Sequence, residues 1–133
     1  MTSFTPRRDI PRRVVVTGMN GVTSLGSDWA SIEANIRAGR NGIRTMHDWA
    51  GIEGLLTHLA GPIPDFSKPA HYTRKQTRSM GRVAIMATRS AEVALTEADL
   101  LNNPCITDGR MGVAYGSCNG STDATINFAK MYT

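Results

Sequence analysis

The residues with the chemistry for nucleophilic or metal work are two cysteines, Cys105 and Cys118, and three histidines, His47, His58 and His71. Cys118 follows the apolar run GVAYGS at 112–117 and sits in a glycine-rich turn before a helical pattern, where a helix N-terminus favours thiolate. A nucleophilic cysteine also needs a base within hydrogen-bond reach, and the three histidines lie upstream in irregular segments. Cys118 is therefore not expected to react, and Cys105, in a loop, has less to support it. Without a CxxC pair and with its histidines scattered, the chain is expected to hold neither a disulfide framework nor a metal site. Gly18, Gly21 and Gly26 follow a β-branched run and precede a helix, the arrangement that can cradle phosphate. Neither G-x-G-x-x-G nor G-x-x-x-x-G-K-[ST] occurs, however, and no second strand carries a ribose-binding acid, so a nicotinamide-dependent reductase is the weakest of the enzymatic readings.

Positive charge is the remaining chemical feature. Lys and Arg number 15 against 11 Asp and Glu, for a net charge of +4. The basic residues gather at Arg7, Arg8, Arg12 and Arg13 and again at Arg74, Lys75, Arg78 and Arg82. Such patches favour an acidic partner. With three Phe and two Trp to stack on bases, nucleic acid is not the expected one.

The elements that must carry these residues follow from periodicity. RRVVVT at 12–17 predicts a first core strand, closed by Gly18, and residues 111–117 predict a second. Between Gly18 and Gly26 the chain turns through residues that tolerate positive φ, Asn20 among them. Ser27 and Asp28 then offer an N-cap to a helix that starts near Trp29. Trp29, Ile32 and Ile36 share its apolar face, and Gly39 stops it. Residues 43–70 predict irregular loops with one strand at 55–60. From Thr73 to about Ala98, Met80, Val83, Ala84, Ala87, Ala91, Ala94 and Leu95 recur at helical spacing, which predicts one long amphipathic helix ended by Asn102, Asn103 and Pro104. Its alanine face would let another element approach closely. A last helix follows Ser121, with Ile126 and Phe128 and no visible stop.

The chain has 133 residues with 41% hydrophobic and 20% charged, the composition of a folded globular domain or of a piece of one, and its alternating strand and helix patterns make the expected class α/β. It can bury roughly two thirds of its unfolded surface. Apolar runs such as 83–87 fall far short of the ~20 residues of a membrane span. Residues 1–11 predict a flexible polar arm without the apolar core of a secretory signal, from which a cytoplasmic location is expected.

RRVVVTG at 12–18, the turn through Leu25 and Gly26, AGRNGI at 38–43, LAGPIPDF at 59–66, RKQTRSM at 74–80 and GVAYGS at 112–117 occur in order. Together they resemble the N-terminal part of a β-ketoacyl-acyl-carrier-protein synthase of the elongating type. The resemblance implies a thiolase-like layered α/β fold, of which residues 12–133 would be an incomplete first half, and a homodimer when complete. It implies decarboxylative Claisen condensation in fatty-acid or polyketide synthesis, without a cofactor, using a cysteine that carries the acyl chain and two histidines. All three reacting groups would lie beyond Thr133, so no catalytic residue is expected in this chain and the chain alone is expected to be inactive. Cys118 matches a glycine of the family's Gly-Ser-Gly turn.

By the same resemblance, Arg74, Lys75 and Arg78 match basic positions that dock the acidic acyl carrier protein, and Asn119 matches a position lining the acyl pocket. That position is usually apolar, so a polar amide there points away from a long saturated chain. Other departures are Ser79 for a position often basic, Gly81 for a usual acid, Asn20 for glycine and Ser24 for proline. The competing expectation from the residues alone is a small α/β module that binds an acidic partner, whose sign would be a self-contained sheet with capped edges.

Overall fold

The computed structural model describes residues 13–132, so the arm expected at 1–11 lies outside the described residues. From residue 13 to 26 the chain runs without helix and turns back on itself, Thr23 and Gly26 exchanging backbone hydrogen bonds of 2.8 and 3.2 Å. Helix α1 (Trp29–Arg37) follows, and its start is the predicted one. Asp28 caps it by accepting from the Ser31 amide at 2.8 Å and the Ser31 hydroxyl at 2.7 Å, bonds that hold the Asp28 carboxyl below the usual carboxylate range. Its end is also as predicted. Gly39 takes φ +66°, which glycine adopts without strain, and the Arg40 amide reaches back to the Asn35 carbonyl at 3.0 Å.

Ile32 on α1 is 6% exposed, the one buried hydrophobic among the described residues, and the core therefore sits where α1 covers the 18–26 turn. Asn35 fixes that contact by donating from Nδ2 to the Leu25 carbonyl at 2.6 Å. Asn20 departs from expectation here. Among the described residues Asp99 and Asn102 are the non-glycine positions with positive φ, so Asn20 does not use the left-handed region, and its buried Nδ2 has no hydrogen-bond partner.

The sheet is smaller than predicted. Strand β1 (Arg44–Thr45) pairs antiparallel with β2 (Leu59–Ala60), in register Arg44 to Ala60 and Thr45 to Leu59. The run predicted at 55–60 thus shrinks to its last two residues. The two predicted core strands, at 12–17 and 111–117, form no ladder within the described residues. Val14 and Val113 are 96% and 93% exposed. The β-branched and aromatic character that suggested strands is present, but strand formation needs a hydrogen-bonded neighbour, and among the described residues neither run has one.

The long helix predicted from 73 to 98 is two helices, α2 (Arg74–Thr77) and α3 (Arg82–Glu97). Apolar periodicity continues across the break, which is why the sequence pattern overlooks it. Gly81 is extended at φ −77° and ψ 172° and serves as the N-cap of α3. At the other end α3 stops at Glu97, where the periodicity predicted, and Asp99 enters the left-handed region at φ 55° before Asn102, Asn103 and Pro104 are reached. The alanine face does admit a close neighbour: Gly18 packs against the Ala94 carbonyl, and the Met19 amide donates to Glu97 Oε2 at 2.7 Å. The last helix, α4 (Thr122–Ala129), forms where Ser121 suggested.

Candidate functional site

The basic segment at 74–78 is a single helical turn. Thr73 and Gln76 form a reciprocal capping box, with the Gln76 amide donating to Thr73 Oγ1 at 3.4 Å and the Thr73 amide to Gln76 Oε1 at 2.9 Å. Arg74 and Lys75 lie on α2, and Arg78 is its C-cap residue, one turn on from Arg74. All three are exposed, and among the described residues none of them is held in an ion pair. They therefore present a compact group of positive charge to solvent. Arg82, which the sequence places in the same patch, is committed elsewhere. Its guanidinium donates to the carbonyls of Ile63 and Phe66 and lies 5.6 Å from the Phe66 ring centre, clamping the loop after β2 onto the start of α3.

A four-residue helix does not hold itself in water, so its flanks must position it. The upstream flank is fastened by Glu92 on α3. Glu92 Oε1 meets His71 Nε2 at 2.7 Å, while Oε2 accepts from the Tyr72 hydroxyl at 2.8 Å and from Arg89 at 2.7 Å. Partial burial raises the Glu92 carboxyl, but hydrogen bonds from Arg89, Tyr72 and His71, with the charge of His71, outweigh it and hold the group at about 2. The Tyr72 hydroxyl is pushed up to about 12 by burial and by the Glu92 carboxylate it binds. Sequence reasoning leaves His71 in an irregular segment and does not single out Glu92. The Arg89–Glu92 pair, three apart on a helix, is the one part of this cluster visible from spacing.

The lowered Glu92 carboxyl makes a prediction about acid stability. A depressed carboxylate contributes stability that is present above its ordinary value of 4.5 and is lost as pH falls towards about 2. Glu92→Gln is accordingly expected to be less stable than wild type above pH 4.5, with the difference closing as the pH falls through that window. Denaturant midpoints measured across it check this, and a constant difference contradicts it.

The downstream flank joins a second segment. Ser121 Oγ accepts from the Val83 amide at 3.4 Å, so a residue 38 positions away caps the first turn of α3. The site of Gly81 explains the approach, since a Cβ there would fall 2.0 Å from Ser121 Oγ. Between 117 and α4 the chain forms an exposed turn, closed by the Gly120 amide donating to Ser117 Oγ at 2.9 Å. Asn119 lies exposed in this turn and outside the apolar groove beside it. That groove, about 550 Å³, runs between α3 and the 113–121 segment, with Val83, Ala87, Ala91, Val113 and Tyr115 in its walls. Asn119 and the α2 basic residues are thus on separate segments joined through Ser121 and the start of α3. Cys118 is an exposed free thiol in the same turn and Cys105 a half-buried one. Among the described residues no cluster of three or more His, Cys, Asp or Glu could hold a metal ion, and no helix is long and apolar enough to cross a membrane.

Comparison with known proteins gives this geometry its family. The model of the β-ketoacyl synthase N-terminal domain matches residues 11–132. Nodulation protein E of Rhizobium meliloti is 34% identical over 119 residues, which are 86% of this chain and 28% of that protein. A 3-oxoacyl-[acyl-carrier-protein] synthase 1 of Haemophilus influenzae is 30% identical over 83% of the chain and 26% of its own length. The crystal structure of a β-ketoacyl synthase from Burkholderia phymatum superposes with a TM-score of 0.79 at 52% identity, covering 89% of this chain and 29% of that one. The chain therefore spans little more than a quarter of the length of these relatives. It belongs to the β-ketoacyl synthase family and carries a partial, N-terminal portion of the thiolase-like α/β fold.

Proposed function

We propose that these residues are the front part of a condensing enzyme that extends an acyl thioester with malonyl-acyl carrier protein. A cysteine thiolate attacks the carbonyl of the acyl thioester, the donor's carbon–sulfur bond breaks, and the donor leaves as a thiol carrying the proton that the cysteine gave up. Loss of carbon dioxide from the malonyl group then leaves an enolate, which attacks the acyl-enzyme carbonyl. A carbon–carbon bond forms, the carbon–sulfur bond breaks and the thiolate is returned, with no cofactor needed. In this reading residues 12–133 supply scaffold, the carrier-docking residues Arg74, Lys75 and Arg78, and Asn119 at the acyl pocket, while cysteine and histidines come from further polypeptide. Two copies of the complete enzyme pair as a homodimer in the cytoplasm.

The observation that carries the proposal is the 52% identity to a β-ketoacyl synthase of which this chain matches 29%. The exposed, unpaired runs around Val14–Val16 and Val113 support it as well, since they are what part of a larger sheet would present. Among the described residues the sheet is a single pair of two-residue strands, which does not favour the competing small binding module, whose sign would be a self-contained sheet with capped edges. The test is to express the coding sequence continued past Thr133 beside residues 1–133 and to assay both with acyl- and malonyl-carrier protein. The longer protein should release carbon dioxide in step with 3-oxoacyl product, and the shorter should release none. A continuation without a cysteine in a strand-to-helix turn followed by two histidines would overturn the proposal, as would acyl transfer onto Cys118.

A further inference from the structure

We infer that Glu92 is a positioning residue for carrier-protein docking, acting through Tyr72 and His71 to set the direction in which α2 presents its positive charges. The inference rests on the docking role proposed for Arg74, Lys75 and Arg78. Tyr72 directly precedes Thr73, the N-cap of α2, so the bond from the Tyr72 hydroxyl to Glu92 Oε2 at 2.8 Å ends one residue from the helix it orients. His71 adds a second point of attachment, at 2.7 Å to the other carboxylate oxygen. Two adjacent side chains bound to the two oxygens of one carboxylate fix rotation of the segment as well as its distance from α3. Arg89 holds the carboxylate itself, at 2.7 Å to Oε2, so the anchor does not swing.

Other contacts around α2 fall short of this. The Lys68 ammonium binds the Tyr72 carbonyl within the same loop and so ties the loop only to itself. The capping box is likewise internal to 73–76. Arg82 fastens the loop near Ile63 and Phe66, several residues before His71. The Glu92 cluster is therefore the side-chain link that spans from the start of the docking turn to the long helix, across 20 and 21 residues of sequence.

Positioning differs from simple stability in its consequences. Long-range attraction between a basic patch and an acidic carrier depends on net charge, which loss of a 2.8 Å bond at Tyr72 leaves untouched. Short-range docking depends on the direction of each cation, which it changes. Tyr72→Phe alters no charge and Glu92→Gln removes one negative charge, so net charge alone would leave carrier affinity equal or improved.

The test is titration of holo-acyl carrier protein against the continued full-length protein, with Glu92→Gln, Tyr72→Phe and the double variant Lys75→Glu/Arg78→Glu, each also introduced into that double variant. Glu92→Gln and Tyr72→Phe are expected to weaken binding about fivefold, mainly by faster dissociation, and to add nothing once the two docking charges are reversed. Turnover of a carrier-free pantetheine thioester should be unchanged in both single variants, which separates misplaced docking from a damaged fold. If Lys75→Glu/Arg78→Glu weakens binding but Glu92→Gln and Tyr72→Phe do not, the positioning role is wrong and docking stands. If the charge reversal has no effect, the docking reading itself fails. Equal loss of carrier-free turnover would make the cluster a stabilising contact only and overturn the inference.

Discussion

Reversing charge at Lys75 and Arg78 together is expected to weaken binding of acyl carrier protein by about two orders of magnitude. Each reversal replaces an attraction with a repulsion against an acidic partner and costs roughly 1 to 1.5 kcal/mol, where 1.4 kcal/mol is a factor of ten. The effect should be this large because the two side chains are exposed and unpaired among the described residues, so no internal partner dilutes their field. Most of it should appear in the association rate. Wild-type affinity should also fall steeply with salt, because screening lengths of ~8 Å at physiological ionic strength reach across a solvated interface, and the reversed variant should lose that dependence. Fluorescence titration of labelled carrier protein at two salt concentrations measures both quantities. Unchanged affinity in the variant overturns the docking role proposed for α2.

Much of this segment is legible in the amino-acid sequence alone. Asp28 and Gly39 bracket α1 because capping is local chemistry, settled by residues three or four apart. The charges at 74, 75 and 78 are plain in the sequence and stay exposed. The break at 79–81 is less visible, because Met80 and Val83 keep apolar spacing across it while the deciding event, the approach of Ser121 to Gly81, comes from 40 residues away. The same holds for the Glu92 cluster: its Arg89 bond is helical neighbourhood, but its Tyr72 and His71 bonds depend on how a loop folds back over α3. The runs at 12–17 and 111–117 fail for a related reason. Their residue types state a preference for sheet, and sheet requires a partner that side-chain pattern does not specify.

Gly18 packs directly against helix backbone, and replacing it with alanine is expected to cost about 3 kcal/mol, the upper part of the range for forcing volume into a packed contact. A Cβ there would lie 2.1 Å from the Ala94 carbonyl oxygen and 3.1 Å from the Ala98 amide nitrogen. Both atoms belong to the last turn of α3, where the Ala98 amide donates to that same carbonyl at 3.0 Å, so neither can retreat without opening the helix end. The turn would have to move instead, and its bond from the Met19 amide to Glu97 would go with it. A different outcome is expected at Gly112, where an added Cβ meets no atom within 4 Å. Gly112→Ala should leave stability within about 0.5 kcal/mol of wild type, as for a surface change away from any special contact. Denaturant unfolding of the two variants decides the matter: the alanine face of α3 is the seat of the 18–26 turn if Gly18→Ala unfolds at clearly lower denaturant than Gly112→Ala, and is not if the two midpoints coincide.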